Sequence, residues 1–470
     1  MADIQHVVVL MLENRSFDCM LGRLYPEDPG YNGLTLNESN TYANTPIPVW
    51  NDAGMDPTTA CIPKPDPGEL FTDMNEQLFG GPRAATAPPM TGFAANYATQ
   101  PASSDGPFVP RNVMHYFTPE QVPVISTLAK AFGVCDAWHA SAPCQTWPNR
   151  FFAHTGTAQG HVDNHTFPIP FPAESLFHRL QKGGRSWRVY FHDMPQASLL
   201  GDLWLYALFH FRLFSQFLAD AHTGALPNYS FIEPRYFTDL FLNNIPNDEH
   251  PPHNVLYGEQ LIAAVYNAVR SSPCWKQTLL IITYDEHGGC YDHVPPPAAI
   301  PPDPNSQYGY AFDTYGVRVP AVIVSPYVPP GSKIRPLRNV DGNLYPFDHT
   351  SIIATVRKLF PTLGGKLTDR DEKAPDLLSA LSLTFPANDG PPRVDADRAK
   401  APVSELQTRA NAPPNGVQAA LSAAATILPK QPPAMTNDVP LPVPIPPNPH
   451  ATVATAHANV TARISLFLGQ

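Results

Sequence analysis

Charged residues are scarce in this 470-residue chain: they make up 15% of it, with 41 acidic and 30 basic side chains. The formal net charge is −11, and no run of lysines and arginines occurs. This composition argues against a nucleic-acid partner, because proteins bind duplexes by neutralising phosphates with basic side chains. It disfavours an anionic lipid surface for the same reason, and leaves transient contact with a membrane surface as the lipid interaction to expect.

Long apolar segments are also missing, so we expect no transmembrane helix. Residues 7–12 are apolar but too few for a signal peptide, no basic stretch precedes them, and a charged motif follows at once. This pattern predicts a cytoplasmic protein or one exported without such a signal. No CxxC spacing occurs, which argues against a zinc ribbon or a redox motif. The cysteines are Cys19, Cys61, Cys135, Cys144, Cys274 and Cys290.

Proline, by contrast, is abundant, with 57 residues that favour long loops. Residues 23–112 show little periodicity and are predicted to form a loop-rich excursion over the active face. Past about residue 385 proline and alanine dominate, which predicts a boundary between a domain at 1–385, expected to be the catalytic domain, and an extension at 386–470. Within the extension we expect a polyproline-like run at 439–447. Helices are predicted there at 403–410, 415–428 and 450–468.

The most informative stretch is a buried strand predicted at residues 277–284, which ends in Asp285 and Glu286. Nearly every residue of this run is apolar or β-branched, as in the central strands of α/β sheets. Such sheets bind ligands beyond the carboxyl ends of their strands. Two carboxylates at that position predict a metal or phosphate site, although a solvated acidic turn would give the same pattern.

A second apolar run, at residues 4–12, repeats this arrangement, because it leads directly into Glu13 and Asn14. In an open parallel sheet both strand ends lie on one edge, so the four oxygen-bearing side chains could converge on one cation. Further strands are predicted at 133–138, 186–191, 229–232 and 319–325. Helices are predicted at 119–131, 173–182, 203–221, 257–270 and 348–360.

Thr146 is a candidate nucleophile. Pro148 suits the first turn of a helix that runs through Phe152, which places Thr146 just before the helix N-terminus. There the hydroxyl would feel the positive end of the helix dipole, where anions bind. For an isolated Thr-x-Pro, however, an ordinary N-cap or turn threonine is the simpler interpretation.

Four rare motifs follow one another along the chain: ENRSFD at 13–18, TWPNR at 146–150, DEHPP at 248–252 and YDEHGGCYDHVPPP at 284–297. Together they resemble a bacterial phosphoesterase family that contains phosphocholine-preferring phospholipases C, plant non-specific phospholipases C and Francisella-type acid phosphatases. Cys290 departs from the pattern, since the family usually has an aromatic residue there.

This resemblance implies an α/β, alkaline-phosphatase-like fold, with a mixed, largely parallel central sheet flanked by helices. It also implies one divalent metal ion, with Glu13, Asn14, Thr146, Asp285 and Glu286 as ligands. Oxygen ligands suit Mg²⁺, Ca²⁺ or Mn²⁺, and Zn²⁺ would fit if a histidine joined them.

By the same resemblance Thr146 is the nucleophile and His250, the histidine of DEHPP, is the first choice to protonate the leaving alcohol. His287 is a second catalytic candidate. Thr146 stands where sulfatases carry a residue that is converted to an aldehyde, which threonine cannot form, so phosphoryl transfer is favoured over sulfate-ester hydrolysis. Candidates for contact with the substrate are Arg150, His115, His192, His293 and His349.

The sequence therefore predicts a metal-dependent phosphoesterase that forms a phospho-threonine intermediate and is of phospholipase C type, acting on phosphatidylcholine-like lipids. An acid phosphatase of the same family is one alternative. A non-catalytic protein on a phosphatase scaffold is another, but such a protein would lack a ligand or the nucleophile, and neither is missing.

Overall fold

A computed structural model describes residues 2–56, 58–84, 87–103, 105–339, 342–396, 402–430 and 441–469. Ten strands are present in these residues: β1 (His6–Leu12), β2 (Ser39–Tyr42), β3 (Thr45–Pro48), β4 (Gly133–Val134), β5 (Trp187–Phe191), β6 (Phe211–Leu213), β7 (Tyr229–Ile232), β8 (Thr278–Tyr284), β9 (Ala321–Val324) and β10 (Ser332–Lys333).

Eight of these strands form one sheet in the order β10-β4-β9-β8-β1-β7-β5-β6. The strands from β8 to β6 run parallel to one another, and β9 is antiparallel to both β8 and β4. Val7 to Leu12 and all of β8 are fully buried, which explains their unbroken apolar sequence. The predicted α/β class with a mixed, largely parallel sheet is confirmed.

Helices flank the sheet in two groups. Helices α4, α8 and α9 pack together, and α10 packs against α5 and α11. The helices are α1 (Phe17–Leu21), α2 (Phe71–Phe79), α3 (Phe93–Ala98), α4 (Pro123–Ala131), α5 (Thr146–Thr155), α6 (Leu176–Lys182), α7 (Ala207–His210), α8 (Phe214–Thr223), α9 (Val255–Ser271), α10 (Thr350–Leu359), α11 (Asp369–Lys373), α12 (Val403–Asn411), α13 (Gly416–Ala425) and α14 (Val453–Phe467).

The prediction of one helix over 203–221 is wrong. The chain there forms a 3₁₀ turn, the short helix α7, strand β6 and then α8. Phe211 is buried and pairs with Val189 of β5, so β6 adds an edge strand to the sheet. The apolar spacing of this segment is typical of a helix, but the pairing with β5 takes precedence. The pattern of a single segment does not indicate such a pairing.

The excursion at 23–112 is irregular over much of its length, but it also contains the hairpin of β2 and β3 and the helices α2 and α3. Helix α2 buries Phe71, Met74 and Leu78, which lie on one face at intervals of three and four residues. No helix within the described ranges is long and apolar enough to cross a membrane.

The three helices predicted in the extension are confirmed as α12, α13 and α14. The extension packs on the sheet-containing part of the chain: Gln418 Nε2 donates to the Tyr236 carbonyl at 2.7 Å. The first two residues of the predicted polyproline-like run, 439 and 440, lie outside the described residues. Further along that run, Val443 pairs with Ile169 through backbone hydrogen bonds.

Candidate active site

The side chains that follow β1 and β8 lie together at one edge of the sheet. These two parallel strands are paired in register to their last residues. Glu13 and Asn14 therefore emerge beside Asp285 and Glu286, and the Asn14 N–H donates to Asp285 Oδ1 at 3.0 Å. All four side chains are fully buried.

The turn after Glu286 passes so close to Asn14 that position 288 requires glycine. A Cβ on Gly288 would lie 2.4 Å from the Asn14 carbonyl oxygen, and its φ is +56°. Asn14 also adopts the left-handed region, with φ +55°, which asparagine tolerates better than most residues. This close approach brings the two motifs into contact.

Thr146 faces the same cluster from helix α5. It is the first residue of this helix, which begins two residues earlier than the sequence predicts, with Gln145 as the N-cap residue. Thr146 Oγ1 lies 3.3 Å from Glu13 Oε2 and 3.5 Å from Asn14 Oδ1. Negative charge that develops on this oxygen would be stabilised by the helix dipole.

Arg150, one turn along α5, lies beneath the cluster. Its guanidinium contacts three buried carboxylates: Glu13 at 2.7 Å, Glu233 at 3.2 Å and Asp285 at 3.3 Å. It also donates to the carbonyl oxygens at the end of β1. These partners engage the donors of the guanidinium, so Arg150 holds the carboxylates in position.

Negative charge is crowded at this site. Burial, followed by the charge of Asp285, raises the pKa of Glu13 well above its usual value. Burial, followed by the charges of Glu69 and Asp285, raises the pKa of Glu286 in the same way. Glu286 Oε1 is buried without a hydrogen-bond partner among the described residues. The chemistry of these oxygen donors suits a divalent cation, because a cation would offset the repulsion and engage the unpaired oxygen.

His250 belongs to an adjoining cluster with Asp66 and Glu69. Its Nε2 lies 3.3 Å from Glu69 Oε1, and its Nδ1 lies 3.6 Å from Asp66 Oδ1. Burial alone would lower the pKa of His250, but the charges of Asp66 and Glu69 raise it well above its usual value. Glu69 also accepts a 2.5 Å hydrogen bond from Asn14 Nδ2. The three side chains are close enough together to hold a metal ion themselves.

The C-terminal extension reaches this cluster as well. Asn415, the N-cap residue of α13, places its Nδ2 3.5 Å from His250 Nδ1. Asp66 is the most exposed member of the cluster, with 25% of its side chain accessible, whereas the His250 side chain is fully buried.

Two further candidate histidines lie close to the carboxylates. His287 Nδ1 is 3.3 Å from Glu286 Oε2, and its Nε2 is 2.8 Å from Gln77 Oε1. His349 Nε2 donates to the Asp285 carbonyl at 2.6 Å. Burial lowers the pKa of His287 to about 3 and that of His349 to about 4, so both rings are neutral near pH 7. Both fix the turn that follows β8.

His115 and His192 contact neither Thr146 nor the four oxygen-bearing side chains. The His115 ring packs edge-on against Trp50, with centroids 4.9 Å apart, and burial lowers its pKa to about 3. His192 follows β5, stacks on Phe214 at 4.5 Å, and has its pKa lowered to about 3 by burial. The structure gives each of these rings an aromatic packing partner.

His293 forms a separate compact cluster with Asp18 and Asp292. Arg318 fills it, 2.9 Å from Asp18 Oδ1 and 3.0 Å from Asp292 Oδ1. His293 Nδ1 lies 2.6 Å from Asp18 Oδ2. The arginine supplies the positive charge here, so this cluster fastens the ENRSFD motif to the turn after β8.

Sequence reasoning missed several residues of the site. Asp66 and Glu69 lie in a proline-rich stretch without periodicity, and Asn415 lies in the extension, so no local pattern marks them. Glu233 carries a usable signal, because it directly follows β7 as Asp285 follows β8. Polar side chains that directly follow a parallel strand are candidates for the site, and this strand-end rule would have found Glu233 if it were applied to every strand.

Comparison with known proteins identifies the chain. The sequence profile described as the Phosphoesterase family matches residues 4–362. The chain belongs to this family. The membership confirms the resemblance and the prediction of a phosphoric ester hydrolase.

Relatives of this Phosphoesterase family member include Non-specific phospholipase C1 of Arabidopsis thaliana, 40% identical over 78% of this chain and 69% of that protein. Phospholipase C A of Mycobacterium tuberculosis is 28% identical over 84% of this chain and 80% of its own length. Among solved structures, a phosphonate monoester hydrolase of Agrobacterium radiobacter overlaps 80% of this chain and 77% of its own, at 10% identity and a TM-score of 0.35.

Proposed function

We propose that this protein is a metal-dependent phosphodiesterase of phospholipase C type that works through a phospho-threonine intermediate. The observation that carries the proposal is the position of Thr146 Oγ1, 3.3 Å from Glu13 Oε2 and 3.5 Å from Asn14 Oδ1, at the start of a helix. The relatives, which are named phospholipases C, support a phospholipid as the substrate class.

The proposed metal ligands are Glu13, Asn14, Thr146, Asp285 and Glu286. A bound divalent cation would lower the pKa of the Thr146 hydroxyl and neutralise the phosphoryl oxygens of the substrate. The oxygen donors favour Mg²⁺, Ca²⁺ or Mn²⁺, and Zn²⁺ remains open because His250 and Glu69 adjoin the set.

In the first step Thr146 Oγ1 attacks phosphorus in line with the leaving alcohol. Glu13 Oε2, at 3.3 Å, accepts the hydroxyl proton. The bond between phosphorus and the leaving oxygen breaks, and the proton of His250 passes to that oxygen. For a glycerophospholipid the alcohol released is diacylglycerol, and the head-group phosphate stays on Thr146.

In the second step water attacks the phospho-threonine, and neutral His250 takes the proton of the water. The bond between phosphorus and Thr146 Oγ1 breaks, and Glu13 returns the proton to the threonine. His250 suits the acid role of the first step because Asp66 and Glu69 stabilise its charged form, and the loss of its proton in that step leaves it neutral for the second.

A side-by-side assay tests this proposal. Phosphatidylcholine vesicles, p-nitrophenyl phosphorylcholine and p-nitrophenyl phosphate are each supplied to the protein with and without a chelator. We expect turnover of the two diesters, loss of that turnover with the chelator, and a much weaker reaction with the monoester. Preference for the monoester would assign an acid phosphatase instead, and no turnover of any substrate would assign a non-catalytic scaffold.

A further inference from the structure

Between β7 and α9 the chain forms a turn whose end carries Leu240, Phe241 and Leu242, which we call the apolar tip. Their exposed fractions are 45%, 91% and 62%. Within the part of the chain that is described, no other three consecutive large apolar side chains are exposed. Single exposed apolar residues are common on soluble proteins, but contiguous ones mark interaction sites.

The tip is held in one conformation by hydrogen bonds at its base. Asp239 and Asn244 exchange two backbone hydrogen bonds, of 2.8 and 3.0 Å. The Asp239 carboxylate also accepts from the backbone N–H groups of Phe241 and Leu242, at 2.8 and 3.0 Å. The three apolar side chains are thus presented by an ordered turn, so little backbone conformational entropy remains to be lost on binding.

Both ends of this segment start in the active site. On one side Glu233 directly follows β7 and contacts Arg150 at 3.2 Å. On the other side the Asp248 carbonyl accepts the Glu13 N–H at 2.8 Å. The apolar tip therefore projects from the same edge of the sheet as the active site. Leu213, 48% exposed, ends the parallel strand β6 at this edge too.

We propose that the apolar tip inserts into the surface of a zwitterionic phospholipid bilayer and so brings the active site to its lipid substrate. This inference rests on the proposed function. Phenylalanine and leucine are side chains that enter the boundary between head groups and acyl chains. The net charge of −11 argues against an anionic surface. Three side chains also cover far less than the roughly 800 Å² that each partner buries in a stable protein interface.

The test compares Phe241→Ser with Phe385→Ser, which makes the same change at another exposed phenylalanine, 64% accessible. Phe385 lies near the opposite edge of the sheet: the nearby Leu383 N–H donates to the carbonyl of Tyr327, which follows the antiparallel strand β9. Both variants are made in the full chain with Thr146→Ala, so that vesicles are not consumed. Binding to phosphatidylcholine vesicles is measured by sedimentation.

We expect Phe241→Ser to weaken vesicle binding about tenfold, as loss of one buried aromatic side chain would, and Phe385→Ser to leave it unchanged. Equal binding by both variants, equal loss in both, or no vesicle binding by the parent protein overturns the proposal. So does a change in oligomeric state with Phe241→Ser at unchanged vesicle binding, because the tip would then contact a second copy of the chain.

Turnover separates this inference from the proposed function. With Thr146 intact, Phe241→Ser should hydrolyse soluble p-nitrophenyl phosphorylcholine at the parent rate, which also shows that it folds, but should lose most of its activity on vesicles. Vesicle binding through the tip without hydrolysis of any ester would refute the proposed function and keep the docking surface. Unchanged vesicle hydrolysis would refute the docking surface alone.

Discussion

The Asn14 amide and the Glu69 carboxylate are joined by a hydrogen bond of 2.5 Å. Asn14 directly follows the buried strand β1, whereas Glu69 belongs to the excursion, two residues before α2. The bond therefore connects the excursion directly to a residue of the active site. Substitutions in the excursion can therefore change the chemistry, although it contains none of the four motifs.

Glu69→Gln tests that link through the pH profile. His250 must carry a proton in the free enzyme to act as an acid, so kcat/KM falls as pH rises through its pKa. Glu69 is one of the charges that raise this pKa. Its neutralisation should move the basic limb of the profile to lower pH. The control Glu76→Gln removes another carboxylate that contacts an asparagine, Asn96, and should leave the limb in place.

Thr146→Ala should abolish turnover, by about four orders of magnitude or more, because removal of a nucleophile leaves only the rest of the site. Thr146→Ser keeps the hydroxyl and should retain measurable activity. Rapid acid quench followed by intact-mass analysis should detect a phosphorylated chain in the parent but not in Thr146→Ala. Comparable diester hydrolysis by Thr146→Ala would rule out the threonine as nucleophile.

Arg150→Met should destabilise the fold by about 3–5 kcal/mol, since it leaves buried carboxylates without their counter-charge. The control is Arg179→Met, whose salt bridge with Glu174 has side chains 24% and 35% exposed and should contribute less than about 1 kcal/mol. Urea denaturation gives both free energies of unfolding. Similar small losses in the two variants would show that Arg150 is not required to hold the carboxylates together.

Asn415→Ala tests whether the extension takes part in the site. Asn415 lies against His250, so its loss should lower kcat on a soluble diester about tenfold, while KM changes little. The N-cap hydrogen bond to α13 is lost as well, at a cost of about 1 kcal/mol. Asn459→Ala, which removes a side-chain bond to Ser422 within the extension, controls for that loss of stability. Equal kcat in the two variants would separate the extension from catalysis.

The sequence is most informative where burial and strand direction act together. Unbroken apolar runs identify β1 and β8, and the strand-end rule then singles out Glu13 and Asp285. The sequence does not predict Asp66 and Asn415 as site residues, because their positions depend on how irregular and terminal segments pack over the sheet. No local periodicity indicates that packing. The edge strand β6 is not predicted for a related reason: its pairing with β5 is a tertiary contact.

Metal removal tests the charge balance of the whole site. Burial is the main reason why the pKa of Glu13 and that of Glu286 are raised, so the charged forms of both carboxylates are disfavoured without a counter-ion. A bound divalent cation should therefore stabilise the folded state by RT ln(1 + [M]/Kd). A chelator should lower Tm and stop turnover, and Mg²⁺, Ca²⁺, Mn²⁺ or Zn²⁺ added singly should identify the ion that restores both. Glu13→Gln and Glu286→Gln should each reduce bound metal and shrink the Tm shift, whereas the surface variant Glu174→Gln should not. A Tm shift that survives in Glu13→Gln and Glu286→Gln would place the ion elsewhere, and Asp66 and Glu69 would be the next ligands to substitute.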